Sequence, residues 1–329
     1  MTLRLTIDET RFGAHVGSLH DAVANLVPVV KGNGYGIGRA ELTRRAARRA
    51  EEIAVGTVHE AAQFLQYEAR AADVLVLTPA LHLPVGDDER SLLPPNAVLT
   101  VGHDAHLAAL VTGGWTGRVA VKLASSMHRY GASVEECARL VGLVDRAGLE
   151  VHRFVLHTPL LGEAYTETDA LGEIEAWLEH LDPRITLSVS HLTIPGFQGL
   201  VARHPERRFN LRAGTALWHG DKSFLHLTAD VVDVRPVEAG GRAGYRSATV
   251  ERTGSLVMIG AGSAHGVGDL PGGLSPFHHH RRRLALLEAP HMHTSMAMVP
   301  AGHPVPEIGE WVDVQRPLIG VVPDEVLWR

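Results

Sequence analysis

Short apolar, β-branched runs recur along the first two-thirds of the chain, and a longer stretch of helical period follows most of them. This alternation limits the possible folds more than any other feature of the sequence. The runs are residues 27–30, 53–57, 74–78, 97–101, 119–123, 151–157, 186–191 and 209–212; the helix-period segments are 40–52, 58–70, 105–111, 133–147 and 166–180. Short apolar segments alternating with amphipathic ones describe βαβ units and a parallel sheet. Eight such strands predict an α/β fold, a closed (β/α)8 TIM-type barrel; a doubly wound open sheet fits the same pattern.

After residue 220 the character changes. Residues 229–236, 245–252 and 255–259 read as strands separated by glycine-rich turns, and only 281–287 keeps a helical pattern. This predicts a barrel over residues 8–220 and a mainly β C-terminal domain over 221–329.

Barrel active sites are built at the C-terminal ends of the strands. The first strand ends in VPVVKGNGYGIG, which places Lys31 at the mouth of a glycine-rich loop with Tyr35 inside it. A lysine amine is a nucleophile only when part of it is deprotonated, and partial burial depresses its pKa. The plain alternative is a flexible turn with Lys31 in solvent. Ile37 stands where G-x-G-x-x-G needs its third glycine, and no G-x-x-x-x-G-K-[ST] is present, so a nucleotide fold is poorly supported. The other strand ends carry Lys122 and Arg129, His157, Ser190 and His191, and Arg212. The loops after strands seven and eight, the usual phosphate site of this fold, hold Ser190 and the turn Arg212-Ala213-Gly214-Thr215.

With 45% hydrophobic residues the chain has ample core material, and a net charge of −6 gives no reason to expect nucleic acid or an anionic membrane as partner. One cysteine, Cys137, excludes an intrachain disulfide; with an opening segment that lacks an apolar h-region, this leads to the expectation of a cytoplasmic protein. Histidine is abundant at 21 residues, and His278, His279 and His280 run into three arginines. Adjacent histidines before a basic helix start are expected to be solvated surface, and no metal site is expected.

The Lys31 segment VVKGNGYGIG resembles the V-V-K-A-N-A-Y-G-H-G signature of the alanine racemase family. Three further segments resemble that family in order: KLASSMHRYG from Lys122 to Gly131, FVLHT ending beside His157, and LRAGTALWHG from Leu211 to Gly220. The resemblance implies pyridoxal 5′-phosphate (PLP) held by Lys31 as an internal aldimine, and an amino acid as substrate. It implies Arg129 at the cofactor's phenolic oxygen and the substrate carboxylate, Lys122 as the lysine that orients that arginine, and His157 near the ring. Arg212 would face the pyridine nitrogen, and Tyr35, Ser190, Gly214 and Thr215 the phosphate. It further implies that the strand at residues 3–7 joins the β domain, and that the protein is a homodimer with shared active sites.

The β domain departs from the family pattern. IGAGSAHGV, from Ile259 to Val267, aligns with I-G-Y-A-D-G-W, so the tyrosine that serves racemases as second base falls on Ser263, with His265 two places on. Met292-His293-Thr-Ser-Met296 resembles M-D-Q-x-M, whose methionine backbone contacts the substrate carboxylate, with His293 in place of the aspartate. A serine hydroxyl is a poor second base, and His265 or His293 could supply a proton near neutral pH. The expected activity is therefore PLP-dependent amino-acid racemisation with an altered second base. Another PLP reaction on an amino acid, of decarboxylase or aldolase type, or a non-racemising PLP-binding homologue are the alternatives.

Overall fold

The computed structural model describes residues 2–64, 66–67, 73–86 and 92–329. Its backbone contacts sort into two compact units: His15–Gly32 with Arg39–Gly220, and Met1–Ala14 with Asn33–Gly38 and Asp221–Arg329.

The first unit is the expected barrel. Its strands are Leu26–Pro28, Glu52–Val55, Asp73–Val76, Ala97–Val101, Arg118–Lys122, Glu150–Val155, Thr186–Ser190 and Phe209–Ala213, all parallel to their neighbours. They form one eight-stranded sheet, and a parallel bridge from Val29 to Ala54 joins its first and second strands, where the amide of Val30 donates to the carbonyl of Ala54 at 2.7 Å. The open-sheet alternative is thereby excluded.

The helices start where local chemistry satisfies their first amides. Ser133 and Thr166 cap Val134–Arg146 and Glu167–Leu178 with reciprocal capping boxes to Glu136 and Asp169. Helices Glu9–Ala22, Ile194–Arg203 and Thr215–His219 were not apparent from periodicity. The segment expected to be helical over 58–70 is helical over Val58–Phe64, and residues 65 and 68–70 lie outside the described residues.

Strand alternation stacks the barrel interior in layers. Val27, Val29, Ala54, Leu75, Val98, Ala120 and Val155 form a buried apolar belt. Two residues towards the N-terminal ends, the same faces carry Glu52, Asp73, Arg118 and Arg153. These form an ionic floor: Arg118 donates both arms of its guanidinium to Asp73 at 2.7 and 2.8 Å, and the buried Arg153 pairs with the buried Glu52. Two residues towards the C-terminal ends, the faces carry Lys31, Gly56, Lys122 and His157.

In the second unit the strand Leu225–Val237 is the hub. It pairs antiparallel with Leu3–Ile7, Gly254–Ile259 and Trp311–Val314, while Leu3–Ile7 also runs parallel to Glu325–Trp328. The N-terminal strand is thus part of this β sheet. Phe12 closes this sheet's core by edge-on contacts with Phe224 and Trp328 at 5.5 and 5.1 Å.

Two expectations are corrected. Residues 281–287 are not a helix but two short strands, Arg282–Arg283 and Ala285–Leu286. The histidine tract is not a loop before a helix, because Phe277–His279 is a strand, His279 is buried, and a two-residue turn at His280 and Arg281 returns the chain into Arg282–Arg283. Cross-strand pairing decides both: Phe277–His279 pairs with Trp311–Val314 and with Arg282–Arg283, and Ala285–Leu286 pairs with Ser295–Pro300, all invisible to a short-window pattern.

Candidate active site

Lys31 lies three residues beyond the first barrel strand, just past the Val29 bridge, and its backbone is pinned from both sides. The Glu60 carboxylate accepts the Gly32 amide at 2.8 Å and the Gly56 amide at 2.6 Å, tying the lysine loop to the end of the second strand. Arg39 donates to the Gly32 carbonyl at 2.6 Å and lies 3.7 Å from Glu60. Trp218 donates its indole N–H to the Val29 carbonyl at 2.8 Å, fixing the strand two residues earlier. A signal for Glu60 was legible: Thr57-x-x-Glu60 is a capping pattern, and the Thr57 hydroxyl accepts the Glu60 amide at 3.3 Å.

The pKa of Lys31 is lowered, first by desolvation and then by the Arg129 and Arg212 guanidiniums, with Glu60 acting the other way. Lys122 is buried and its pKa falls well below the usual lysine value, by desolvation and by the same two arginines. Arg212 is buried, with one arm donating to the Ser188 hydroxyl at 2.6 Å and the other to the Leu156 carbonyl at 2.7 Å. Burial and the neighbouring Arg153 push it down to about 9, still far enough above neutrality that the guanidinium stays charged.

His157 faces Ser190, whose hydroxyl lies 2.6 Å from Nδ1, and its ring sits 4.5 Å from that of His191. Desolvation, then Arg212 and Lys122, depress its pKa to about 2, so this imidazole is neutral. His191 has a left-handed backbone (φ 64°) and directs Nδ1 at the carbonyls of Thr158 and Pro159, which fixes that nitrogen as the protonated one. Arg129 is exposed, its guanidinium 4.6 Å above the Tyr130 ring. Gly214 begins the Thr215–His219 helix without a side-chain cap.

One end of the barrel therefore carries Lys31, Lys122, Arg129, His157, Ser190, His191, Arg212, Gly214 and Thr215. Among them Lys31, Lys122 and Arg212 have lowered pKa values. Such a field attracts a ligand with anionic groups and shifts the Lys31 amine towards its deprotonated form.

Five other residues singled out in the sequence belong to the β unit. Tyr35 is buried with φ 57°, in the segment Asn33–Gly38. That segment is held by the Asn33 amide, which donates to the carbonyls of Leu318 and Val321, and by close backbone packing. A Cβ on Gly36 (φ 80°) would sit 2.9 Å from the Leu318 carbonyl oxygen, so this glycine is required by protein packing as well as by its left-handed backbone. Ser263 and Met292 are exposed. His265 is buried; its Nδ1 accepts the Gly262 amide at 3.1 Å and its Nε2 lies 3.2 Å from Asp324, so both nitrogens are engaged. His293 is exposed, its ring 5.9 Å from that of His265.

No curated protein matches the chain in sequence. Solved structures do match its fold. The alanine racemase of Bartonella henselae, with covalently bound pyridoxal phosphate, superposes with a TM-score of 0.74 at 17% identity, covering 100% of both chains. The alanine racemase of Corynebacterium glutamicum gives 0.72 at 20% identity, covering 99% of this chain and 98% of the other. That of Streptomyces lavendulae, a D-cycloserine producer, gives 0.71 at 18% identity, covering 100% and 97%. Among the described residues no helix is long and apolar enough to cross a membrane. The model of the alanine racemase N-terminal domain matches residues 7–220, most of the chain, and with the barrel and the lysine beyond its first strand in view, the protein belongs to the alanine racemase family.

Proposed function

We propose that this protein is a PLP-dependent enzyme that moves a proton at the α-carbon of an amino acid, with Lys31 as both cofactor anchor and base. One observation carries the reading: Lys31 stands at the C-terminal end of the first barrel strand with its pKa lowered by desolvation and by Arg129 and Arg212. The donor set suits the cofactor. Ser190, Gly214 and Thr215 would hold the phosphate; Arg129 the phenolic oxygen and the substrate carboxylate. Bound PLP supplies an electron sink that acidifies the α-proton.

Arg212 would meet the pyridine nitrogen, and a guanidinium has donors but no acceptor. It therefore favours an unprotonated ring and a weaker sink, which suits return of the proton to the α-carbon. Lys31 serves one face of the substrate. On the other face the tyrosine of the resembled family is Ser263, and His265 has both nitrogens engaged, so His293 is the imidazole best able to exchange a proton. Racemisation through Lys31 and His293 is the first reading. The serine at position 263 favours a second, a one-base PLP reaction such as decarboxylation or aldol cleavage. We further propose a homodimer, in which these β-unit residues serve the partner's barrel.

Borohydride reduction of the purified protein tests the first step: the cofactor label should map to Lys31, and a label on Lys122 would overturn the assignment. A panel of L- and D-amino acids in deuterated water then separates the reactions, because α-exchange, CO₂ release and aldehyde release are distinct products. Absence of all three overturns the enzymatic reading.

A further inference from the structure

The hairpin that carries the histidine tract is closed by a two-residue turn that contains no glycine. Its two turn residues, His280 and Arg281, both have left-handed backbones, with φ of 47° and 66°. A two-residue hairpin turn of this kind favours Asn-Gly, and a non-glycine residue there costs about 1 kcal/mol. What His280 provides that asparagine does not is an imidazole beside two further ligating groups.

His279, buried on the preceding strand, places Nε2 2.9 Å from Glu310 Oε1, and His280 Nε2 lies 3.8 Å from the same oxygen. All three ligand atoms fall within 4.8 Å of one another. Ligands of a tetrahedral zinc ion at about 2.0–2.1 Å are separated from each other by roughly 3.4 Å, a value the two observed separations bracket. The carboxylate is already oriented: Glu310 Oε2 accepts the Glu307 amide at 2.9 Å, and the Glu310 carbonyl accepts the Val231 amide at 2.8 Å. Fixing a ligand through its outer oxygen is how metal sites hold geometry.

We propose that His279, His280 and Glu310 form a binding site for a late first-row divalent cation, with zinc as the type case, on the β unit. Two imidazoles and one carboxylate are a borderline donor set that selects zinc, cobalt, nickel or copper over magnesium and calcium. The bound cation links the Phe277–His279 hairpin to the residue that precedes the Trp311–Val314 strand. The imidazoles bind it in their neutral form.

The test is calorimetric titration of the tag-free protein, as purified, with Zn²⁺ in excess Mg²⁺ at pH 7.5, alongside thermal unfolding. One Zn²⁺ per chain at micromolar affinity or tighter, with a raised Tm, is expected. His280→Asn keeps the left-handed turn, so the variant folds, and it should lose at least tenfold in affinity together with the Tm shift. Glu310→Gln should do the same. Wild-type affinity no tighter than millimolar overturns the proposal, as does tight binding that survives His280→Asn. A second cluster, Glu52, Asp73 and His152 in the barrel, is the built-in comparison: binding abolished by His152→Asn and not by His280→Asn also overturns it.

Discussion

Glu60 touches no reacting atom in the proposed chemistry, yet it decides how Lys31 is presented. Its carboxylate accepts two backbone amides, Gly32 at 2.8 Å and Gly56 at 2.6 Å, and the side chain is only 13% exposed. Glu60→Gln keeps the shape but leaves one oxygen for two donors, and turns an NH₂ towards the other amide. Losing one charge-assisted hydrogen bond at a part-buried site costs about 2 kcal/mol. At 1.4 kcal/mol per tenfold, that is roughly a 30-fold rise in local opening. Amide hydrogen exchange at Gly32 and Gly56 should accelerate by about that factor in the cofactor-free protein, while amides of the Thr186–Ser190 strand stay protected. The substitution also removes the one negative charge that raises the Lys31 pKa against three lowering influences. The Lys31 pKa should therefore fall further, so the pH at which the amine is half-reactive towards an acylating reagent should move down, read by mass spectrometry of the labelled peptide. Unchanged exchange at both glycines, or a midpoint that moves up, would refute the pinning argument.

Three further outcomes follow from other parts of the molecule. Glu52 in the ionic floor has its pKa raised from the ordinary 4.5 to about 7, chiefly by desolvation; the folded state therefore holds an extra proton between those values, and this group's contribution to stability falls as pH rises from about 4.5 through 7. Glu52→Gln should flatten that component of the Tm–pH curve even though it weakens the pairing with Arg153, and an unchanged slope would show that Glu52 titrates normally. His265→Ala should lower the stability of the β unit by about 1–3 kcal/mol, because the buried Gly262 amide loses its acceptor and Asp324 its neighbour; a thermal melt identical to wild type would return His265 to the list of candidate bases. Ser263→Tyr should increase α-proton exchange of the alanine enantiomer that the wild type exchanges more slowly, measured by deuterium incorporation, and no change would place the second proton-transfer group elsewhere.

The barrel was legible in the sequence because its information is local. Each strand is a short apolar run, each helix a periodic segment, and caps such as Ser133 and Thr166 are written into neighbouring residues. The strand-end rule then located Lys31, Lys122, His157, Ser190 and Arg212 from position alone. The hairpin at Phe277–Arg283 was misread for the opposite reason: its basic run has helical period, and pairing with Trp311–Val314, distant in sequence, overrides it.

The sequence by itself determined that one lysine ends the first strand of an eight-stranded barrel and that cations end several of the others, since period and order along the chain suffice for that. Only the tertiary structure decided what those groups are. Burial and the guanidiniums of Arg212 and Arg129 lower the pKa values of Lys31, Lys122 and His157, and these effects depend on distances across the barrel that no linear spacing records. Likewise, the sequence shows only a glycine-rich loop after Lys31, whereas the structure shows that Gly36 is required by its φ of 80° and by the Leu318 carbonyl packed against it. His265 read as a free imidazole until Asp324, 59 residues further along the chain (324 − 265), was found beside its Nε2.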